Sequence, residues 1–211
     1  MNDYQRMKAG EYFFQPNIYT LKDDEGAQDE VRRIRLLREA DQQGMDLAKR
    51  AAILEQALGH LGEGSLVCPE FRCDFPSNVF IGDHCFINMD CTILAPGKIT
   101  IGDNVMIAPH VRIYSLVHPM TARGRRRGGA VGRPVTIGND VWICGDAIIC
   151  PGVTIAEGSV IGAGSVVSRD IPAGVFAAGN PCRVIREIGE EDEAYWDSVI
   201  KEYEQDPDIQ G

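Results

Sequence analysis

His118 is the residue best suited to acid–base chemistry in this chain. An imidazole has an ordinary pKa of about 6.5, so at neutral pH it accepts a proton readily and can return it later in a reaction. His118 precedes Pro119 and stands at the start of a stretch rich in Arg and Gly. Its position alone favours a plainer alternative, a loop histidine that is hydrogen-bonded to the backbone.

Other residue types that could carry chemistry are less informative. The seven cysteines form no Cys-x-x-Cys pair, which argues against disulfides and zinc and favours a reducing, cytoplasmic compartment. A basic run lies among glycines without interleaved aromatics, which favours a surface loop over a nucleic-acid-binding face. The run consists of Arg123, Arg125, Arg126, Arg127 and Arg133.

The net charge of −10 is concentrated near the C-terminus. From Glu187 to Gly211 there are ten acidic residues and one base, Lys201. This composition predicts a solvated acidic tail over 187–211 that is partly helical around Glu193–Glu204. The sequence has no apolar run near the roughly 20 residues of a membrane-spanning helix, so we expect a soluble protein without a membrane partner.

Residues 1–62 are predicted to form a small helical segment. Helical spacing of apolar residues begins after Asp29 and stops near Gly44, and Asp46 can cap a second helix that ends at Gly59. Upstream, Met7 to Phe13 resembles a short helix that runs into an aromatic-rich turn.

A six-residue period replaces the helical pattern from about Val79 to Val184. No helix period fits this spacing, and the strand alternation of an antiparallel sandwich would drift over so many units. A fixed period of six predicts a parallel β-helix, in which each unit is one short strand and a corner. The mainly β domain is expected over 63–186. The repeated positions are Ile81, Ile87, Ile93 and Ile99, then after a two-residue shift Ile101, Ile107 and Ile113, and finally Ile137, Ile143, Ile149, Ile155, Ile161 and Val167.

The period is interrupted between Ile113 and Ile137. An insertion in a repeat protein maps to a loop, and such loops often form the binding face. We therefore expect a protruding loop at about 116–134, with His118 at its base.

Several short motifs lie along the chain from its N-terminal segment to the end of the repeats. They are Met7-Lys-Ala-Gly-Glu, Phe71-Arg-Cys-Asp-Phe, Phe86-Ile-Asn-Met-Asp-Cys, His118-Pro119, Arg133-Pro-Val-Thr-Ile-Gly-Asn-Asp-Val-Trp, Pro151-Gly-Val-Thr-Ile and Gly179-Asn-Pro-Cys-Arg-Val-Ile-Arg. Together these motifs resemble the maltose and galactoside O-acetyltransferases, which are hexapeptide-repeat acyltransferases. The resemblance implies a left-handed β-helix, a homotrimer with sites between subunits, and transfer of acetyl from acetyl-CoA to a sugar or glycoside hydroxyl.

The resemblance also assigns catalytic and acceptor positions. His118 matches the family's catalytic base, and Asn88 matches the asparagine that holds the reacting thioester carbonyl and also meets the acceptor. Asp74 resembles a position that binds acceptor hydroxyls. Pro96 and Gln15 occupy acceptor positions where relatives carry acidic residues, which leaves the identity of the acceptor open.

The resemblance further implies a groove for acetyl-CoA with cations at one end. Small residues would let the pantetheine arm approach the backbone, Trp142 would form a wall, and arginines would meet the phosphates. The same residues are also ordinary for tight corners, subunit packing and a solvated surface. The implied positions are Trp142, Gly145, Ala163, Ser168, Arg169, Arg183 and Arg186.

Three functional alternatives stay open. The first is O-acetylation of a sugar or glycoside, and the second is the same chemistry on a non-sugar hydroxyl, as in the related antibiotic-acetylating branch. The third is a non-catalytic trimeric β-helix scaffold. One related class binds zinc through histidines, but His84 and His110 fall at ordinary corner positions, so we expect no metal.

Overall fold

The chain is built mainly from short β-strands. The computed structural model describes residues 1–14 and 25–205. The helices are α1 Asp3–Lys8, α2 Glu25–Asp41, α3 Leu47–Ala57, a 3-10 helix Pro76–Asn78, α4 Ala122–Arg125 and α5 Glu190–Glu204. The strands are β1 Tyr12–Phe14, β2 His60–Leu61, β3 Leu66–Val67, β4 Arg72–Cys73, β5 Val79–Ile81, β6 Phe86–Ile87, β7 Thr92–Leu94, β8 Ile99–Ile101, β9 Met106–Ile107, β10 Arg112–Tyr114, β11 Leu116–Val117, β12 Gly129–Gly132, β13 Val135–Ile137, β14 Trp142–Ile143, β15 Ile148–Ile149, β16 Thr154–Ile155, β17 Val160–Ile161, β18 Val166–Val167, β19 Val175–Ala178 and β20 Arg183–Glu187.

Successive strands belong to three different parallel sheets, so the chain winds as a solenoid of about six turns. The first sheet has the order β2-β5-β8-β13-β16, and the third has the order β4-β7-β10-β15-β18. The second runs β3-β6-β9-β14-β17-β19-β20, with β20 added antiparallel at its end. The predicted hexapeptide-repeat β-helix is therefore confirmed.

The predicted aliphatic columns form the core of the solenoid. Ile81 pairs with Ile101, Ile101 pairs with Ile137, and Ile137 pairs with Ile155; all four side chains are buried. Each stacked isoleucine removed from water contributes about 1.5–3 kcal/mol to folding. The core thus holds the turns in one register, and the corners take their positions from it.

The two-residue shift marks an extended corner. Ile81 pairs with Ile101, 20 residues on, whereas Ile137 pairs with Ile155, 18 residues on. The extra residues follow the third sheet in the early turns, around Pro76 and Pro96. The insertion at 116–134 leaves the solenoid at the same corner one turn later, after β10. Extended corners in successive turns thus stack beneath the protruding loop.

The loop is fastened by the N-terminus. Strand β1 pairs antiparallel with β12, which pairs with β11 to form a separate three-stranded sheet. The expected short helix is α1, which begins at Asp3 and ends at Lys8, and Gly10 then turns the chain with a φ of 71°. The aromatic residues expected in a turn form strand β1 instead. The aromatic residues that follow favour a strand, and the inserted loop supplies their partner.

The two longer N-terminal helices occur as predicted. Gly44 has a φ of 55°, and the Asp46 side chain accepts a hydrogen bond of 3.2 Å from the Lys49 amide to cap α3. Val31 is the first of the helically spaced apolar residues after Asp29, but its side chain is 51% exposed. Between them, α2 and α3 cover the first turn of the solenoid.

A buried arginine joins this helical segment to the solenoid. Arg50 on α3 is 1% exposed. Its guanidinium donates to the carbonyls of Ala40, Val67 and Cys68 at 2.6, 2.9 and 2.8 Å, and it pairs with Asp41 at 3.0 Å. One cation therefore satisfies a helix end and two solenoid carbonyls.

The acidic tail begins as ordered structure. Strand β20 extends to Glu187, and α5 follows over Glu190–Glu204, somewhat longer than the helix expected there. Among the described residues, no helix has the length and apolar character needed to cross a membrane.

Candidate active site

The extended corner places Asp74 next to the Ala95-Pro96 turn. Asp74 follows β4, and its carboxylate accepts a hydrogen bond of 2.7 Å from the Ala95 amide. Burial raises the pKa of this carboxyl from 3.8 to about 6. Pro96 is itself buried, and Asn78 donates to the carbonyls of Ala95 and Pro96 at 2.7 and 3.2 Å. The corner therefore has a fixed backbone and a carboxyl group with a perturbed pKa.

His118 follows β11, in the loop that leaves the solenoid at the same corner one turn later. Its side chain is exposed, and Nδ1 lies 3.3 Å from the carbonyl oxygen of Gly129. A carbonyl can only accept, so this contact requires a proton on Nδ1 and leaves Nε2 of the neutral ring as a proton acceptor. The arrangement supplies the tautomer that a general base needs.

The backbone that follows His118 is held by Arg125. Its Nη1 donates to the carbonyls of Met120 and Pro119 at 2.7 and 3.2 Å. The Thr121 hydroxyl also caps the short helix α4, accepting from the Gly124 amide at 3.1 Å. These contacts turn the loop back on itself immediately after the histidine.

Asn88 lies at a different corner, after β6. It is half-buried, and its Oδ1 accepts a hydrogen bond of 2.8 Å from the Met89 amide. Within residues 1–14 and 25–205, the amide nitrogen Nδ2 has no hydrogen-bond partner in the structure. It is therefore available to donate to an oxygen of a bound molecule.

Small residues continue from Asn88 along this corner. Backbone hydrogen bonds stack Asn88 over Ala108, Cys144 and Gly162 in successive turns. Gly145 and Ala163 occupy the next position along the chain in two of these turns. A Cβ at Gly145 would come within 3.3 Å of the Pro109 carbonyl, and Trp142, three residues earlier, is 47% exposed. The result is a strip of backbone and small side chains beside an exposed indole.

Ser168 and Arg169 fall on the other corner. Val167 belongs to the column of the third sheet that begins with Cys73, so Ser168 lies beneath Asp74 at the far end of the solenoid. Both Ser168 and Arg169 are exposed. One end of the third sheet, where its strands finish, therefore carries Asp74, His118 and Ser168. The other end, where its strands begin, carries Asn88, Gly145 and Ala163.

Comparison with known proteins places this arrangement in a family. Residues 134–169 match the bacterial transferase hexapeptide (six repeats), and residues 78–108 match the hexapeptide repeat of succinyl-transferase. Galactoside O-acetyltransferase of Escherichia coli K12 is 42% identical over 151 residues, 72% of this chain and 74% of that protein. The chain belongs to the maltose and galactoside O-acetyltransferase family.

Solved structures agree with this assignment. A maltose O-acetyltransferase from Clostridium difficile 630 is 41% identical with a TM-score of 0.83, covering 90% of this chain and 99% of that one. A hexapeptide-repeat acetyltransferase from Vibrio cholerae in complex with acetyl coenzyme A is 36% identical with a TM-score of 0.80, covering 90% and 100%. The protein is thus an acetyl-CoA-dependent acetyltransferase.

The two C-terminal arginines of this acetyltransferase differ in their surroundings. Arg183 pairs in register with Ala178, which continues the strip below Gly162, and its Nη1 donates to the Cys182 carbonyl at 2.7 Å. Arg186 forms two hydrogen bonds with Asp192 at 2.6 and 2.8 Å, and this guanidinium holds the pKa of Asp192 at about 2. Arg186 is therefore already engaged by a carboxylate.

Three further positions from the sequence analysis remain, namely Gln15, His84 and His110. Gln15 lies outside the described residues. His84 and His110 stand at separate corners, and the described part of the acetyltransferase brings no three His, Cys, Asp or Glu side chains together as a metal site. Sequence reasoning missed Arg125 and Asn78, because hydrogen bonds from side chains to distant carbonyls leave no periodic signal.

Proposed function

We propose that the enzyme transfers acetyl from acetyl-CoA to a hydroxyl of a sugar or glycoside, with His118 as the general base. The observation that carries the proposal is the contact of His118 Nδ1 with the Gly129 carbonyl, which leaves Nε2 as the proton acceptor. The acceptor O–H gives its proton to Nε2 while its oxygen attacks the thioester carbon. The tetrahedral intermediate then loses the CoA sulfur, and the imidazolium returns its proton to the thiolate.

Asn88 is assigned to the developing oxyanion. Its Nδ2, which has no hydrogen-bond partner among the described residues, can donate to the thioester oxygen, and its Oδ1 is fixed by the Met89 amide. A donor whose position is set before the reaction lowers the barrier because it needs no reorganisation in the transition state.

We assign the acetyl-CoA arm to the strip that starts at Asn88. The strip descends four strand spacings, about 19 Å, from Asn88 to Ala178. Arg183 pairs beside Ala178 and supplies a cation at that end. This order supports a thioester near Asn88, the pantetheine arm against Gly145 and Ala163 beneath Trp142, and phosphates near Arg183. Ser168 and Arg169 are also assigned to acetyl-CoA binding, although they lie on the corner that carries Asp74.

We further propose a homotrimer with shared sites. His118 and Asn88 occupy opposite ends of the third sheet in one chain, so a site that uses both combines corners of two copies. Light scattering should therefore give the mass of three chains, and a monomer mass would contradict the shared site.

We place the enzyme in the cytoplasm, since its seven cysteines are all free thiols.

We assign to Asp74 the binding of the sugar that accepts the acetyl group. A carboxylate at this corner can accept hydrogen bonds from sugar hydroxyls. Asn88, Pro96 and Gln15 are the other proposed acceptor positions, although the burial of Pro96 limits its contribution to the shape of the corner.

An acceptor screen tests the proposed function. CoA thiol release from acetyl-CoA should depend on acceptor and be strongest with sugars or glycosides, compared with matched non-sugar alcohols and antibiotic hydroxyls. Release of the CoA thiol with non-sugar hydroxyls alone would show that the acceptor is not a sugar. The absence of acceptor-dependent release across the panel would favour a scaffold.

Arg183 and Arg186 should determine donor affinity. We expect Arg183→Ala/Arg186→Ala to raise the KM for acetyl-CoA about tenfold or more, with a smaller change in kcat, because charge-assisted bonds to phosphate contribute about 1.5–3 kcal/mol. Arg183→Ala should account for most of the effect, since Arg186 is paired with Asp192. Arg35→Ala/Arg38→Ala on α2 is the matched control. An unchanged KM in the Arg183/Arg186 variant would place the nucleotide elsewhere.

Asp74 should make stability depend on pH in an identifiable window. Because its pKa is raised to about 6 in the folded protein, the folded state binds more protons than the unfolded state between about pH 4 and pH 6. The stabilisation from protonated Asp74 is present below about pH 4 and is lost as the pH rises through about 6, by on the order of 2 kcal/mol.

Denaturant unfolding of the wild type and of Asp74→Asn across this range measures the difference. The Asn variant should lack this part of the pH dependence. Asp140→Asn, at an exposed corner, should keep it. Parallel wild-type and Asp74→Asn curves would show that the burial of Asp74 has no energetic consequence.

A further inference from the structure

Helix α5 carries an uncovered apolar stripe. Trp196, Ile200 and Tyr203 are 59%, 51% and 62% exposed, and no residue of the helix is buried. Their spacing of four and three residues places them on one face. Large aromatic and aliphatic side chains aligned in this way are typical of a helix that packs against a partner.

The first turn of the helix is bonded to the end of the solenoid. Asp192 in its first turn accepts two hydrogen bonds from Arg186 on β20 and one of 3.2 Å from the Gly189 amide. These bonds attach the start of α5 to the last strand.

One flank of the stripe is acidic. Glu190, Glu193 and Asp197 follow one another at intervals of three and four residues, which places them side by side along the helix. All three are exposed. The helix therefore offers an apolar stripe bordered by a row of carboxylates.

The loop that follows His118 has the complementary character. Met120 is 91% exposed, and Arg123, Arg126 and Arg127 are exposed beside it. Within the described residues, none of these three arginines forms an ion pair. Like charges so close together repel one another unless carboxylates or other anions lie against them.

We propose that α5 of one copy packs on the His118 loop, residues 118–128, of a second copy of this chain. The aromatic stripe would cover Met120, and the acidic flank would pair with the free arginines. Within one described chain, no hydrogen bond or ion pair links the loop to α5. The loop leaves the solenoid after β10 and the helix leaves beyond its last strand, so the partner surface comes from another molecule.

The contact gives one explanation for the Arg-rich loop and the acidic tail. The loop alone is an uncovered surface with excess positive charge, and α5 alone is one with excess negative charge. When the two surfaces pair between subunits, the C-terminal helix of one subunit lies over the loop that carries the neighbour's His118. The inference does not depend on acetyl transfer.

Zero-length cross-linking between two distinguishable chains tests the contact. The first chain carries Arg126→Lys together with Glu190→Gln, Glu193→Gln and Asp197→Asn, so its own helix lacks these carboxylates. The second chain keeps its natural sequence and a different affinity tag. After co-expression, sequential purification and carbodiimide treatment, we expect Lys at position 126 of the first chain to be coupled to Glu190, Glu193 or Asp197 of the second.

The controls separate the alternatives. Introducing Glu190→Gln, Glu193→Gln and Asp197→Asn into the second chain as well should abolish the cross-link. A salt concentration of about 1 M should weaken it, because salt screens exposed charges. Cross-linking only when the lysine and the carboxylates share one chain would mean a contact within a subunit and would overturn the proposal. No cross-link in either arrangement, with circular dichroism showing folded chains, would overturn it too and leave another anion as the partner of the arginines.

Discussion

Replacing His118 with Ala should lower kcat by about 10²–10⁴-fold, the usual contribution of a positioned acid–base group. The imidazole is held by the Gly129 carbonyl in the tautomer that leaves Nε2 free, and Ala removes the only group assigned to take the acceptor proton. Acetyl-CoA binding should be nearly unchanged, because the donor strip runs along another corner. Steady-state kinetics and direct titration with acetyl-CoA measure the two quantities separately.

The control for this variant is His60→Ala. His60 is exposed at the start of β2, on the first sheet, and has no assigned role. Its replacement should leave kcat within a factor of about two of the wild type. If His118→Ala retained full turnover, His118 would have no part in the chemistry, although the family assignment would stand.

Replacing Arg50 with Met should lower the free energy of unfolding by about 3–5 kcal/mol. The change keeps the buried stem but leaves the carbonyls of Val67 and Cys68 without this donor and Asp41 without its cationic partner. The Ala40 carbonyl loses one of its two donors and keeps the Gln43 amide. Unsatisfied buried acceptors cost about 1–3 kcal/mol each, less where water enters. Denaturant unfolding followed by far-ultraviolet circular dichroism measures the loss.

Lys49→Met is the matched control, because Lys49 precedes Arg50 on the same helix and pairs with Asp46 at the surface. Water screens an exposed ion pair, and holding two long side chains together costs entropy, so this variant should be nearly as stable as the wild type. A loss below about 1 kcal/mol in Arg50→Met would mean that Arg50 does not join the helices to the solenoid.

The solenoid could be predicted because its core repeats. Ile137 and Ile155 occupy the same column, and the corners between them fall at a fixed phase, so a local pattern reports the long-range register. The Ile99–Ile101 shift was visible but ambiguous, since spacing alone does not reveal an extended corner beneath a loop. The strand at Tyr12–Phe14 was missed because its partner is more than 100 residues away, in the inserted loop.

The site was predicted less completely than the fold. His118 and Asn88 could be nominated from motifs, but their separation at opposite ends of the third sheet appears only when the turns are stacked. The sequence predicts Arg50 to be a surface residue of a helix. Its burial depends on hydrogen bonds to the carbonyls of Val67 and Cys68, which belong to the solenoid. The pairing of Arg186 with Asp192 likewise depends on how β20 meets α5.

In the proposed reaction, acetyl passes directly from acetyl-CoA to a sugar hydroxyl while His118 takes the hydroxyl proton. The most direct test is NMR of the reaction with acetyl-CoA labelled with ¹³C in the acetyl group and the best sugar or glycoside of the screen. We predict an O-acetyl ester on the acceptor in equal amount to the CoA thiol released, at a rate that falls by about 10²–10⁴-fold in His118→Ala. Label recovered only as acetate, or ester formed equally fast by the variant, would contradict the account.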